Sequence, residues 1–239
     1  VLNVGDGNLL AIAEEKGGDP DWIKISSHMR LSVEDCNLRG LIRTIYPDHQ
    51  HHFRDATYLM QCNILAPKNT DVNEVNNVIF ESLFEELHTY LSVDSLASIE
   101  EGASVVVRVS MDSLYPVEFL NTLQFSGNAN HKLELKVGMP ILLLRNLNQS
   151  IGLCNGMRLI IKRLGQCVVE AEIITGNNVS KRVFIPHIIM SPSKTDWPFV
   201  LCRRQFLFRV AFVMIINKSQ GQTLNNVGVY LPSPVFYHG

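Results

Sequence analysis

From residue 133 onward the sequence is built from five β-favouring runs: LELKVGMPILLLRN, MRLIIKRLG, CVVEAEIIT, KRVFIPHII and QFLFRVAFVMII. They are rich in Ile, Val, Leu and Phe, and turn-forming residues punctuate them at 153–156 (LCNG), 165–166 and 176–178. Short strands separated by tight turns predict a small barrel or a curled sheet. The end of the last run, AFVMII, is almost wholly apolar. That pattern predicts a central strand of a parallel sheet, covered on both faces.

A second kind of unit lies ahead of this segment. CNILAPKN at 62–69 is a short apolar run closed by Pro and Asn, which predicts a buried strand and a turn. A helix is expected over about 70–90, because Val72, Val75, Ile79, Leu83 and Leu87 recur every three or four residues. Thr70 and Asp71 are candidate caps, and early acids suit the positive end of the helix. Strand, turn and capped helix form the unit of an α/β domain. Lys68 and Asn69 stand at that helix start, where a phosphate can sit or where the residues are a plain cap. Residues 1–40 carry the turn signals VGDG and GGDP with little periodicity, and read as an irregular tail of a preceding domain.

The apolar AFVMII runs straight into the polar NKSQGQTL, 217–224. Ligands of open α/β sheets gather beyond the carboxyl ends of such strands. Ser219, Thr223 and the loop amides could meet phosphate oxygens, Gly221 would let backbone approach closely, and Lys218 would add a point charge. A helix cap by Ser219 or Thr223 is the plainer alternative.

Bulk properties narrow the class. The chain has 239 residues, 46% of them hydrophobic, enough for a core in one large domain or two small ones. No run of 18 apolar residues predicts a membrane span, and VLNVGDGNLL has no secretory pattern and no initiating Met, which suggests a piece of a longer protein. Cys36, Cys62, Cys154, Cys167 and Cys202 contain no CxxC pair, which predicts reduced thiols and no zinc finger. His49, His51 and His52 in DHQHH are ligand-type residues, but clustered His in a polar loop is more often simply solvated, and no metal site is expected. Residues 1–156 hold 11 basic and 20 acidic side chains, whereas 157–210 hold 9 basic and 3 acidic. That local excess predicts either a phosphate-facing surface or an ordinary charged face of a β-rich module.

Taken in order, several stretches resemble the petite-integration-frequency (PIF-type) ATP-dependent DNA helicases, in particular those related to Helitron transposons. They are IYPD at 45–48, ILAPKNTDVNEVN at 64–76, YPVEFLNTL at 115–123, NHKLELKVGMPILLLRNLNQSIGLCNGMRLII at 130–161, EAEIITG at 170–176, KRVFIP at 181–186, RRQF at 203–206, and AFVMIINKSQGQTL with VGVYLPSPVF within 211–236. The resemblance implies an α/β fold: a RecA-like second motor domain with an inserted small β-barrel and a remnant of the first motor domain. It divides the chain into a remnant with linker (1–40), the first part of the second RecA-like domain (41–116), the inserted barrel (117–205) and the return to the RecA-like sheet (206–239). It further implies that Asn217, Lys218, Ser219 and Thr223, with Pro67, Lys68 and Asn69, lie along DNA, and that Gln220 and Gly221 face the nucleotide. DNA, single-stranded or duplex, and the missing N-terminal motor domain are the implied partners of a monomer. ATP and Mg2+ are the implied cofactors of the complete enzyme, and 5′ to 3′ unwinding in repair, recombination or telomere maintenance its implied role. The nucleus is the implied location, with the mitochondrion as alternative.

Several departures qualify that picture. No GxxxxGK[ST] cradle occurs, no clear acidic pair for magnesium follows an apolar strand, and the arginine-bearing segment expected after SPVFYHG is not in the sequence. The expectation is a chain with no complete catalytic site, which binds no ATP and hydrolyses none by itself. Ile215 stands where the family usually has Thr, Leu207 where it has Pro, and Asn128 and Ala129 where its turn is more apolar. A helicase portion, a non-catalytic single-stranded-DNA-binding or interaction module, and a truncated gene product are the three readings left open.

Overall fold

The computed structural model describes residues 25–97, 114–125, 127–191, 197–220 and 222–233. It divides into two units, Val1–Thr44 and Ile45–Gly239. In the first unit, a 3-10 turn at Ser27–Met29 precedes helix α1 (Leu38–Ile45), which runs to the boundary. Asn37 caps α1: its side-chain oxygen accepts from the Gly40 amide at 2.8 Å, meeting one of the orphan donors of the first turn.

The second unit opens with two short helices, α2 (His49–His52) and α3 (Ala56–Gln61). Asp55 caps α3 by accepting from the amides of Thr57 and Tyr58 at 2.8 and 3.3 Å. Strand β1 (Cys62–Ala66) and helix α4 (Asn69–Ser82) follow, the strand–helix unit read from CNILAPKN. Val72, Val75, Ile79 and Leu83 are buried as the stripe predicts. The helix is shorter than the expected 70–90. Lys136 stops it: its ammonium donates to the Phe80 and Leu83 carbonyls, both at 2.8 Å, at the negative end of the helix. Leu87 lies beyond that stop and is exposed. Nor do Thr70 and Asp71 cap. Lys68 occupies the N-cap position without a side-chain cap bond, and the Thr70 hydroxyl donates to Asp71 at 3.2 Å instead.

The remaining chain is strand-rich: β2 (His88–Leu91), β3 (Val93–Leu96), helix α5 (Val117–Thr122), β4 (Lys132–Leu135), β5 (Pro140–Leu143), β6 (Arg158–Leu164), β7 (Val168–Ile173), β8 (Arg182–Pro186), β9 (Ile188–Met190), β10 (Leu201–Gln205), β11 (Phe208–Val210), β12 (Val213–Ile215) and β13 (Asn226–Val229). Five of them form an antiparallel sheet in the order β11-β5-β6-β7-β8. Among the described residues this sheet is open, because β11 and β8 are not paired with each other. Two smaller antiparallel groups flank it, β3-β10-β9 and β2-β4.

The three-stranded parallel sheet runs β12-β1-β13. The apolar AFVMII run therefore lies to one side, and CNILA is the central strand. The run still reads as central because Ala211, Phe212, Val213 and Met214 are all buried. Its backbone is secured by side chains as well as by β1. Asn76 of α4 accepts from the amides of Phe212 and Val213 at 3.1 and 3.2 Å and donates to the Val213 carbonyl at 3.4 Å. Tyr46, from IYPD, donates to the Phe212 carbonyl at 2.6 Å and lies 3.1 Å from that of Cys62.

The smaller sheets are tied together by one buried arginine. Arg203 and Asp94 have no exposed side-chain surface and form a two-pronged pair: Nε lies 2.9 and 3.1 Å from the two carboxylate oxygens, and a terminal nitrogen lies 2.6 Å from one of them. The same guanidinium donates to the carbonyls of Leu120, Leu123 and Ala129 at 3.0 to 3.1 Å. It thereby fixes α5 and the turn after it onto β10 and β3. Gln205, two residues on, donates to the His131 and Tyr90 carbonyls at 3.0 and 3.3 Å.

Candidate nucleic-acid interface

Parallel pairing brings two of the predicted segments to one place. Ala66, the last residue of β1, is opposite Ile215, the last residue of β12. Pro67–Asn69 and Ile216–Ser219 therefore leave the sheet from the same carboxyl edge. β13 ends there too, since the Tyr230 amide donates to the Leu65 carbonyl at 2.8 Å and Lys68 reaches Ser233 at 3.2 Å. This is the edge at which α/β sheets collect ligands.

The loops present cations and hydrogen-bonding groups. Lys68, Asn69, Asn217, Lys218, Gln220 and Thr223 are exposed, while Pro67 and Ser219 are half-buried; Gly221 lies outside the described residues. Ile216–Lys218 is a 3-10 turn closed by Ser219, whose hydroxyl donates to the Ile216 carbonyl at 2.7 Å. Ser219 thus ends a turn and caps no α-helix. Lys218 touches Asn155 at 3.5 Å, and Gln222 donates to the carbonyls of Gly156 and Lys218, both at 3.3 Å, so the LCNG turn backs the loop. Across the edge, the uncapped first turn of α4 leaves amide donors beside Lys68. Ile215 supplies no hydroxyl here; it is half-buried and paired in the sheet.

The basic excess of 157–210 does not form one surface. Arg158 and Arg203 are fully buried. Arg163 and Arg182 both pair with Glu170, at 3.4 and 3.1 Å, and Lys162 pairs with Glu172 at 3.2 Å. Lys194 lies outside the described residues, while Lys181 and Arg204 are exposed. Arg158 meets the Cys62 carbonyl at 3.4 Å beside Tyr46, and burial pulls its guanidinium below the ordinary arginine range while pushing the Tyr46 phenol far up. Arg209 is the member that reaches the candidate edge: it donates to Asn69 at 3.1 Å, and burial lowers its guanidinium as well. Spacing gave no sign of that contact, which depends on β11 pairing with β5.

The histidines of DHQHH, expected in a solvated loop, form the short helix α2 and are occupied with local contacts. His51 lies 2.6 Å from Asp48, and His49 lies 2.7 Å from Ser82 and 3.2 Å from the Tyr46 carbonyl. Among the described residues no group of three or more His, Cys, Asp or Glu side chains could hold a metal ion. The predicted nucleotide-facing pair is Gln220 and Gly221. The described part of that pair is one exposed glutamine, Gln220, and the sequence has no glycine-rich cradle with its lysine.

Residues 118–164, from α5 through β6, match the family described as "DNA helicase Pif1, 2B domain". The matched segment is similar to a domain of DNA helicases. The human ATP-dependent DNA helicase PIF1 is 30% identical over 120 residues, which cover 48% of this chain and 18% of that protein. The chain is similar to the Pif1 DNA helicases, the family whose motif order its sequence resembles, and the match spans about a fifth of the human protein's length. Among solved structures, the Bacteroides Pif1 bound to single-stranded DNA is 19% identical with a TM-score of 0.48, over 70% of this chain and 34% of that one. The Pif1 helicase of Candida albicans is 19% identical with a TM-score of 0.47, over 80% of this chain and 46% of that one.

Proposed function

We propose that this chain is a part of an ATP-dependent DNA helicase that holds single-stranded DNA by its backbone along the carboxyl edge of β12-β1-β13. The observation that carries the reading is the pairing of Ala66 with Ile215, from which the Lys68 and Lys218 loops leave together. A motor that moves on any sequence grips phosphates and sugars rather than base edges. Exposed ammonium groups, small amides and hydroxyls, and the amides of a helix start are suited to that grip. Pro67, Lys68 and Asn69 would line one side of the strand, and Asn217, Lys218, Ser219 and Thr223 the other. Gln220 and Gly221 would face the nucleotide of the complete enzyme. The β-rich segment 117–205 would act as the inserted module, with residues 41–116 and 206–239 as the second RecA-like domain.

In this reading the 239 residues bind DNA but hydrolyse no ATP, because they contain no phosphate cradle to stabilise phosphoryl transfer. ATP, Mg2+, 5′ to 3′ unwinding, a nuclear site of action and a role in genome maintenance belong to the complete helicase. Fluorescence anisotropy with a labelled single strand tests the reading. Binding is expected to weaken with salt, and Lys218→Ala is expected to lower the log–log salt slope by about 0.7, the share of one phosphate contact on a single strand. A folded chain that binds no single strand at low salt overturns the proposal.

A further inference from the structure

Beside the candidate edge, within the second unit, a cavity of about 470 Å3 opens between α4 and the turn that follows α5. Ligand pockets for small molecules run from about 300 to 1,000 Å3, so one nucleotide fits. Its lining is unusual for a packing defect. Asn69, Asn73 and Asn77 recur every fourth residue and line it from one face of α4, with Asn128 and Asn130 facing them from the turn. Phe80 and Phe125 add half-buried aromatic surface.

Two donors in this wall are unmet among the described residues: Nε of Arg209 and Nδ2 of Asn128, both shielded from solvent. Unsatisfied buried polar atoms are rare in native structures and call for an occupant, a water or an ion. Shielded as they are, these two atoms lie behind the wall, and the accessible amides of the lining are what a ligand would meet. Exposed Asn73 and Asn77 offer amides that both donate and accept. A planar group with carbonyl and N–H edges, apolar on its faces, matches all of this, and that description is a nucleobase.

We infer that this cavity takes an unstacked nucleobase from the single strand lying on the neighbouring edge. Asn69 connects the two sites, because it belongs to the predicted backbone loop, lines the cavity and holds Arg209. The inference rests on the DNA reading above and deepens it: the edge grips the backbone, and the cavity takes one base. Thymine, with two carbonyl oxygens, is the base of choice for a probe.

Anisotropy titrations of the whole chain with a short thymidine strand and with its fully abasic counterpart test this. The thymidine strand is expected to bind about tenfold tighter, the scale of one base on an aromatic platform. Asn73→Leu with Asn77→Leu should erase that preference and leave abasic binding unchanged; neither side chain has a hydrogen-bond partner among the described residues, and circular dichroism checks the fold. Asn73→Gln, which keeps an amide, should retain most of it. Equal affinity for the two strands, or a preference that survives the double variant, overturns the cavity's role and leaves the backbone grip intact. Binding of neither strand overturns the backbone grip and the strand as the source of the base. Thymidine monophosphate that shifts the amide resonances of Asn73 and Asn77 while neither strand binds would place the base in the cavity from a free nucleotide, overturning the strand as its source.

Discussion

The Arg203–Asp94 pair allows a prediction with a definite size and sign. Asp94→Ala leaves a guanidinium with no exposed surface and no counter-charge. Breaking a buried pair from one side costs about 3 to 5 kcal/mol. Three carbonyls, of Leu120, Leu123 and Ala129, still accept from Arg203, so the lower end, about 3 kcal/mol, is expected. Arg203→Met is the harsher change. It strands the carboxylate and also orphans those three carbonyls, at about 1 to 3 kcal/mol for each one that water cannot reach. In urea, with a slope of about 2 kcal/mol per molar, Asp94→Ala should move the midpoint down by about 1.5 M. Arg203→Met should move it further. Asp94→Leu combined with Arg203→Met should recover most of the loss, because an apolar pair needs no charge compensation. The measurement is circular dichroism against urea, with hydrogen exchange on α5 as a local readout. A midpoint shift under about 0.3 M for Asp94→Ala, or a milder effect for Arg203→Met, would refute the view that this arginine holds α5 in place.

Asn76→Ala removes the acceptor for two buried amides and should cost about 2 to 4 kcal/mol in the same assay, whereas Asn77→Ala, exposed on the same helix, should cost under about 0.5. Gly138 has a φ of +91°, and a Cβ there would lie 2.4 Å from Arg54 Cγ and 2.9 Å from Phe53 Cε2; Gly138→Ala should therefore destabilise by more than about 1 kcal/mol, read as a lowered Tm. Burial lowers the pKa of both His49 and His187, so each holds its proton less well folded than unfolded. Stability should fall as pH drops below about 6.5, where the unfolded chain protonates first, and level off below the folded values. Replacing both by Asn should flatten that part of the urea midpoint–pH curve; an unchanged slope would show that carboxylates dominate it.

Much of the fold was legible because its signals are local. CNILA followed by a capped-looking helix gave the strand–helix unit, and the β-favouring runs gave most of the later strands. What was misread depended on distant partners. Leu87 has helical spacing with Leu83, but Lys136, more than fifty residues away, ends the helix first. AFVMII looks central by hydrophobicity, because Asn76 and Tyr46 enclose it as a third strand would. The basic cluster looked like a surface because sequence does not show which arginines turn inward; Arg203 and Arg158 are structural, and RRQF is a packing motif in its first, third and fourth residues. At the candidate interface, the two loops were legible as polar bursts after apolar runs. Their common edge, and the arrival of Arg209 at Asn69, came only from strand pairing.

The position of β1 also dictates when the parallel sheet can form. Its hydrogen-bonded neighbours are β12 and β13, which begin at Val213 and Asn226, about 150 residues later. The β5-β6-β7-β8 meander, by contrast, pairs each strand with the next one in sequence, all within residues 140–186. Contacts of low sequence separation form first, since less loop-closure entropy opposes them. On a ribosome, the meander can therefore consolidate while CNILA still has an open edge on each side. The sheet that carries both candidate loops assembles last, so a chain halted before Val213 would expose a bare, apolar strand, the kind of edge that invites pairing with other chains.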